Sequence, residues 1–508
     1  MTVINPNSIS GITSITLPSG GDNVLTIHTN DGTERFRIDS SGNVKVGTAA
    51  TISPDGDVFF TGVTTATTYA GSGANLTNLP AANVTGTLPA ISGANLTNLP
   101  AANLTGALPA ISGANLTGIA ATDNVRTGIL DVAGIATFRD TVNIPNINGG
   151  QIGGKRNLIV NGDMKIAQRG TSSTTSGFGT VDRFAVYYAG ADEAPTQSQS
   201  DVASGTTPYT LGFRKALKIT NGNQTGGAGT GDQLYISHKI EAQDMARSGW
   251  NYTSTSSKIT LSFWVKSSVA QNFYGYLKTS DGTSQNYPFE TGSLSANTWT
   301  KITKTIIGNS NLQFDIDTNM GIEIVIAQWF GTDKTGSVSL NAWGTWSSSN
   351  RLTDFGAAMD DWYTTNDATF EITGVQLEVG SQATPFEHED NNTTLRRCQR
   401  YFWKLGLVAN AWIYSGIIAG SQDGARCLAK FPVPMRANPT ITYNNLYCDS
   451  ETAGSVETIN GVNDTHFNSD YGGRINFSLA SASTQSVGGP LNIYPSDANG
   501  YLQGDSEL

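Results

Sequence analysis

The residues best suited to chemistry in this chain are aromatic. All nine tryptophans stand at or beyond Trp250. Sugar rings present apolar C–H faces that stack on Trp and Tyr, while Asn, Asp and Gln bond the hydroxyls. Trp329, Trp343, Trp346 and Trp362 fall near turns or in Gly/Ser/Asn-rich sequence, where a ring face is expected to stay open. Trp264 and Trp299 lie within strand-like runs and are expected in a core. In the last segment Tyr443, Tyr447, Phe467, Tyr471, Tyr494 and Tyr501 alternate with Asn, Asp and Gly. Tyr443 and Tyr471 join the four tryptophans as candidate glycan contacts.

Other chemistries find less support. Asp360-Asp361 beside Trp362-Tyr363 has the composition of a sugar-cleaving carboxylate pair. Neighbours on a strand point to opposite faces, so a surface turn is the preferred reading. Glu387, Glu389 and Asp390 read as a solvated linker. His28, His238, His388 and His466 are scattered without zinc-ligand spacing. Asp315, Asp317 and Asn319 open like a calcium loop, but Met320 stands where that loop needs glycine and Ile326 where it needs Glu. On a strand those three would simply share the solvent face. No G-x-S-x-G elbow is present, and Gly227-Ala-Gly-Thr-Gly lacks the following Lys of a phosphate loop. No catalytic residue, cofactor or metal is therefore assigned, and an enzyme is not expected. Asn-x-Thr triplets at Asn75, Asn83, Asn95, Asn103 and Asn115 follow from a repeat rather than from glycosylation.

That repeat determines how the aromatic half is presented. Ser72 to Ile91, Ser92 to Ile111 and a decaying copy from Ser112 share a period of 20 residues. Residues 58–122 contain no Asp, Glu, Lys or Arg. One such unit is too small to bury a core, so stacking or association is required. In a parallel assembly of identical chains, each charge would lie near its own copies and repel them. Missing charge thus favours a shaft of identical chains side by side.

The whole chain has 508 residues, 57 of them Gly, a net charge of −11 and 14% charged residues, against a usual value of about 25%. Without a Lys/Arg-rich run, nucleic acid and anionic membranes are not expected as partners. No apolar run reaches the roughly 20 residues of a membrane helix, and MTVINPNSIS is unlike a signal peptide. A soluble protein is expected. Its three cysteines, Cys398, Cys427 and Cys448, read as reduced thiols.

Four segments follow. Residues 1–57 read as short strands and turns, with Asn30-Asp-Gly marking a hairpin. Residues 58–150 are the repeat shaft. Residues 151–390 carry eight or nine strand-like runs, which argues for a β-sandwich or jelly roll. Residues 391–508 form a smaller β-rich tip introduced by one helix, with Leu395, Cys398 and Phe402 on one face. The fold class is all-β.

Several motifs carry a resemblance. Arg35-Phe-Arg-Ile-Asp-Ser-Ser-Gly-Asn-Val, the Ala-Asn-Leu-Thr-Gly repeats, Asn157-Leu-Ile-Val-Asn-Gly-Asp-Met and Arg397-Cys-Gln-Arg-Tyr-Phe resemble tail fibres of tailed bacteriophages. So do Thr373-Gly-Val-Gln-Leu-Glu-Val-Gly and Ala383-Thr-Pro-Phe-Glu, with fibres of cyanobacterial and other marine phages the most similar. The resemblance implies a homotrimer in the virion, assembled in the host cytoplasm. Its N-terminus would meet baseplate or tail proteins and its C-terminal half a host surface glycan such as lipopolysaccharide. Asn157 to Glu387 also resembles a carbohydrate-binding jelly roll. That likeness leaves room for a structural calcium, with Asp163 and Glu378 as its candidate ligands. The alternatives are a fibre-borne glycan depolymerase and a purely structural baseplate or spacer fibre.

Overall fold

Three short turns organise the first part of the chain. Thr29–Gly32, Asp39–Gly42 and Ser53–Gly56 each close with the glycine N–H donating to the first residue's carbonyl. The glycines take left-handed φ values of 80°, 84° and 97°, which only glycine adopts without cost. The computed structural model describes residues 24–68, 70–71, 155–353, 360–420, 422–449 and 456–508. The repeats of 72–122 lie outside them. Residues 24–71 belong to one compact unit and 155–508 to a second.

In the first unit the turns join β1 (Leu25–His28), β2 (Glu34–Ile38), β3 (Val44–Val46), β4 (Ala50–Ile52) and β5 (Val58–Phe60) into one antiparallel meander. The sheet therefore runs on past residue 57.

The second unit opens with a sandwich. Its strands are β6 (Ser172–Ser173), β7 (Phe184–Ala189), β8 (Thr196–Asp201), β9 (Lys215–Thr220), β10 (Gln233–Glu241), β11 (Lys258–Ser267), β12 (Asn272–Thr279), β13 (Gln285–Ser293), β14 (Thr300–Ile307), β15 (Met320–Phe330), β16 (Thr335–Gly336), β17 (Gly344–Thr345), β18 (Leu352–Thr353) and β19 (Thr369–Val379). Three short helices interrupt them: α1 (Thr207–Thr210), α2 (Ala242–Ala246) and α3 (Asp360–Thr364). Sheet I runs β17-β13-β12-β15-β10-β7, and sheet II runs β14-β11-β19-β9-β8-β6. Strand alternation fills the space between them. Phe273 and Leu277, Ile322, Ile324 and Ile326 come from sheet I, and Ile259, Leu261, Phe263 and Val265 from sheet II. This is the expected all-β sandwich.

The Asn157 motif closes the sandwich as a clasp. The Asn157 side chain donates to the Val375 carbonyl (3.1 Å) and accepts from the Ile159 N–H (3.0 Å) and the Leu377 N–H (3.1 Å). The Asn161 amide bridges the Ile166 and Asp182 backbones. A Cβ on Gly162 would collide with the Val375 carbonyl oxygen. Opposite it, Gly374 has φ 64° and lies under the Phe213 ring. These residues hold backbone to backbone.

A helix, α4 (Asn391–Gln399), leads into the tip, its N-terminus capped by Asp390. Cys398 is buried with Val160 and Ile166, so this helix packs on the sandwich. Then follow β20 (Phe402–Gly406), β21 (Tyr414–Ala419), β22 (Gly424–Lys430), β23 (Thr440–Asn444), β24 (Leu446–Asp449), β25 (Val456–Ser469), β26 (Gly472–Leu479), β27 (Pro490–Pro495) and β28 (Tyr501–Asp505). Six of them close a barrel, β21-β22-β26-β25-β24-β27, and β20-β28-β23 form a small sheet. All three cysteines are free and buried. The supposed polar linker is structural: Glu387 accepts from the Asn157 N–H (2.7 Å), and Glu389 pairs with Arg397.

Sandwich and tip meet at a buried ionic junction. Arg183, 1% exposed, pairs with Glu507, donates to the Lys239 carbonyl (2.6 Å) and lies on the Tyr401 ring (3.4 Å). Arg169 contacts Asp505 (2.9 Å) and Glu507 (3.3 Å) and covers the Phe402 ring. Arg400 grips Glu241 with two bonds, of 2.7 and 2.8 Å.

Candidate functional site

The outer face of sheet I gathers aromatic side chains by register alone. One row across neighbouring strands reads Tyr187, Tyr235, Ala327, Tyr274 and Glu290. The next reads Ala185, Ser237, Val325, Tyr276 and Pro288, and a third Lys239, Glu323, Lys278 and Asn286. Strands lie about 4.8 Å apart, so the tyrosine row spans roughly 15 Å from Tyr187 to Tyr274. Small Ala327 leaves a dip between Tyr235 and Tyr274.

A β-bulge extends this face. Leu234 pairs with Trp329 but Tyr235 with Ala327, so Gln328 is the extra residue. The bulge reverses the alternation beyond it. Phe330 joins the outer cluster with Tyr276, Val325, Ala327 and Leu352, while Trp329 turns into the core. Ring centroids then run Tyr187–Tyr235 at 5.5 Å, Tyr235–Phe330 at 5.3 Å and Phe330–Tyr276 at 6.3 Å. Segment 331–353 roofs part of the face. Leu352 is buried there, and Arg351 donates to Gln233 (3.1 Å) and stands over Phe330. Tyr276 and Phe330 are covered, whereas Tyr187, Tyr235 and Tyr274 stay partly exposed.

Polar groups follow two rows along the same face. Ser237 donates to Glu323 (2.6 Å), and Lys239 and Lys278 flank that carboxylate in register. Burial, with Glu323 adding to it, pushes the Tyr235 hydroxyl up to about 12 and Tyr276 well above the usual tyrosine value. Tyr187 rises for the same two reasons. The hydroxyls therefore stay protonated at neutral pH. The arrangement offers a row of flat apolar rings with hydroxyl tips, and a carboxylate and two ammonium groups two rows away on the same face.

The sequence candidates divide. Trp346 lies over the Lys278 ammonium (4.1 Å), at the margin of this face. Trp343 packs on Tyr287 and donates to the Ile307 carbonyl (2.7 Å). It lines a cleft of about 310 Å³ with Asn286 and Pro288, the residues that end two of the outer rows. Trp343 and Trp346 thus stand on either side of β17, the edge strand of sheet I. Trp329 and Trp362 do not belong to it. The bulge buries Trp329 against Tyr363, ring to ring at 5.6 Å. Trp362, 0% exposed, is enclosed by Phe273 and Phe370. Neither has a face left for a ligand. Tyr443 packs half-buried against the tip core, and Tyr471 stands exposed at the β25–β26 turn. They lie on separate elements, away from any shared row.

Other expectations change as well. Trp264 and Trp299 face outward from sheet II, half-covered by Phe213 and Val202. Trp264 sits between the inward Phe263 and Val265, so alternation sends it out. The Asp360–Asp361 segment is a helix, α3, rather than a strand. Asp315, Asp317 and Asn319 form a loop, with the Asp315 N–H on Asp281 (3.0 Å). Glu378 takes donors from Thr384 and Gln376, and Asp163 pairs with Lys165 (3.1 Å). Both are engaged by protein groups. Among the described residues no three His, Cys, Asp or Glu side chains converge to hold a metal ion.

Sequence reasoning missed Tyr187, Tyr235, Tyr274 and Tyr276. The signal was present in Asn272-Phe-Tyr-Gly-Tyr-Leu-Lys, where Tyr274, Tyr276 and Lys278 recur at period two.

No family model and no curated protein sequence matches this chain. Among solved structures, the enzymatically active domain of tailspike protein 4 of bacteriophage CBA120 aligns with 44% of the chain at 10% identity and a TM-score of 0.24. The aligned part spans 21% of that tailspike structure. The family 11 carbohydrate-binding module of Clostridium thermocellum, in complex with a β-1,3-1,4-mixed-linked tetrasaccharide, aligns over 42% of this chain and 98% of its own, at 11% identity and TM-score 0.20. The N-terminal cellulose-binding domain of Cellulomonas fimi β-1,4-glucanase C aligns over 43% and 99%, at 11% identity and TM-score 0.21.

Proposed function

We propose that this chain is a phage tail fibre that binds a host surface glycan, such as lipopolysaccharide, through the outer face of sheet I. The observation that carries the reading is the row Tyr187, Tyr235 and Tyr274, partly exposed, with Glu323, Lys239 and Lys278 two rows further along the same face. Sugar rings stack on such a row and their hydroxyls meet the polar groups. The charge-free repeats support a shaft of identical chains, taken as three. Three copies of a modest site gain avidity through effective concentration. The N-terminal segment would meet baseplate or tail proteins. No bond is made or broken in this reading.

The test is a glycan array and a cell-adsorption assay with the full chain and its Tyr235→Ala and Tyr274→Ala variants. Each variant should weaken binding by up to about tenfold, the worth of one stacked ring. Unchanged binding by the double variant overturns the reading. Shortening of the bound polysaccharide would replace it with a depolymerase.

A further inference from the structure

The five-stranded meander of the first unit sorts its side chains completely. Leu25 pairs with Ile38, Ile38 with Val44, Val44 with Ile52 and Ile52 with Val58. Beside that row, Ile27 pairs with Phe36, Phe36 with Val46, Val46 with Ala50 and Ala50 with Phe60. These two rows of five make one face wholly apolar. The row between them, on the opposite face, is Thr26, Arg37, Lys45, Thr51 and Phe59. There Arg37 pairs with Glu34 (3.3 Å) and Lys45 with Asp39 (3.2 Å).

No residue in 24–68 or 70–71 is buried. Ile27 is 53% exposed, Val46 50% and Phe60 54%. A single sheet layer with one apolar face must bury that face against another layer. We propose that the covering layer is the same face of further copies of this chain. Identical faces bring identical side chains together, which is free of repulsion only where those side chains are uncharged. All ten positions meet that condition, and the 65 residues from 58 to 122 continue it without one charge. The charged row faces water. Sheets packed face to face lie about 10 Å apart, a gap that two layers of Val, Ile and Phe fill. This deepens the multi-copy part of the reading above and rests on it.

Cysteine cross-linking of the full chain tests it. The three native cysteines are buried, so a new thiol reports alone. Val44→Cys and Val46→Cys place a thiol in each apolar row of the central strand, and Lys45→Cys places one on the opposite face. Under mild oxidation at least one apolar-face variant should give chains linked covalently in pairs, and Lys45→Cys should not. Sedimentation of the unmodified protein should show an assembly at all working concentrations. A monomer overturns both this assignment and the multi-copy reading. An assembly in which neither valine position cross-links overturns the assignment alone. It would mean that another part of the chain, or another protein, covers the face. Neither result bears on glycan binding, which is read separately from Tyr235.

Discussion

Replacing Glu507 with alanine should loosen the tip from the sandwich. The Glu507 side chain is 6% exposed and bridges Arg183, 1% exposed, and Arg169, 9% exposed. Arg169 keeps Asp505 at 2.9 Å and Asp182 at 3.9 Å, so it stays compensated. Arg183 keeps the Tyr401 ring and the Lys239 carbonyl but loses its carboxylate partner. Breaking a buried pair from one side costs about 3–5 kcal/mol, a large share of the roughly 5–15 kcal/mol that holds a domain folded. Urea unfolding followed by tryptophan fluorescence measures this cleanly, because all nine tryptophans lie at or beyond Trp250, in the second unit. Hydrogen exchange at α4 and at β28 should rise in parallel. The double variant Arg183→Met with Glu507→Leu removes both charges and should recover most of the loss, since apolar pairs of similar volume often replace buried ion pairs at little cost. A loss below about 1 kcal/mol for Glu507→Ala, or a double variant no better than the single, would refute the claim that this pair locks the junction.

Further outcomes follow from other contacts. Burial raises the Asp182 carboxyl to about 6. A raised carboxylate favours the protonated fold, so its contribution is fullest below about 3.8 and is lost as pH climbs through 6, a change of roughly 3 kcal/mol. Asp182→Asn should flatten that part of the stability profile between pH 4 and 7, measured as urea midpoints. An equally steep profile in the variant would show that other groups cause it. Asn157→Ala removes three hydrogen bonds to buried backbone and should lower stability of the second unit by about 3 kcal/mol or more. A shift under 1 kcal/mol would mean that water replaces the amide. Weakened glycan binding in Tyr235→Ala and Tyr274→Ala, and cross-linking at Val44 or Val46, complete the set.

Much of this architecture was legible from residue order. The turn sequences Asn30-Asp-Gly and Asp39-Ser-Ser-Gly mark hairpins because glycine alone takes the needed φ freely, and β1, β2 and β3 stand beside them. Period-two runs such as Ile259 to Val265 announced a sandwich, since successive side chains leave a strand on opposite faces. Even the apolar face of the first meander follows from alternation combined with turn length. The shift of aromatic weight toward the C-terminal half was likewise plain in the composition.

Tertiary structure decided which rings meet solvent. Trp329 and Phe330 are adjacent, and only the bulge at Gln328 sends the first inward and the second outward. A bulge depends on pairing with a strand some ninety residues away, so no local pattern announces it. Trp362 looked like a turn residue, but α3 lays it against Phe273 and Phe370 from two different strands. The junction of Arg183 with Glu507 joins residues 324 positions apart. Local sequence sets the side on which each side chain leaves its own strand. What lies on that side is set by partners distant in the chain, and only the folded chain brings them together.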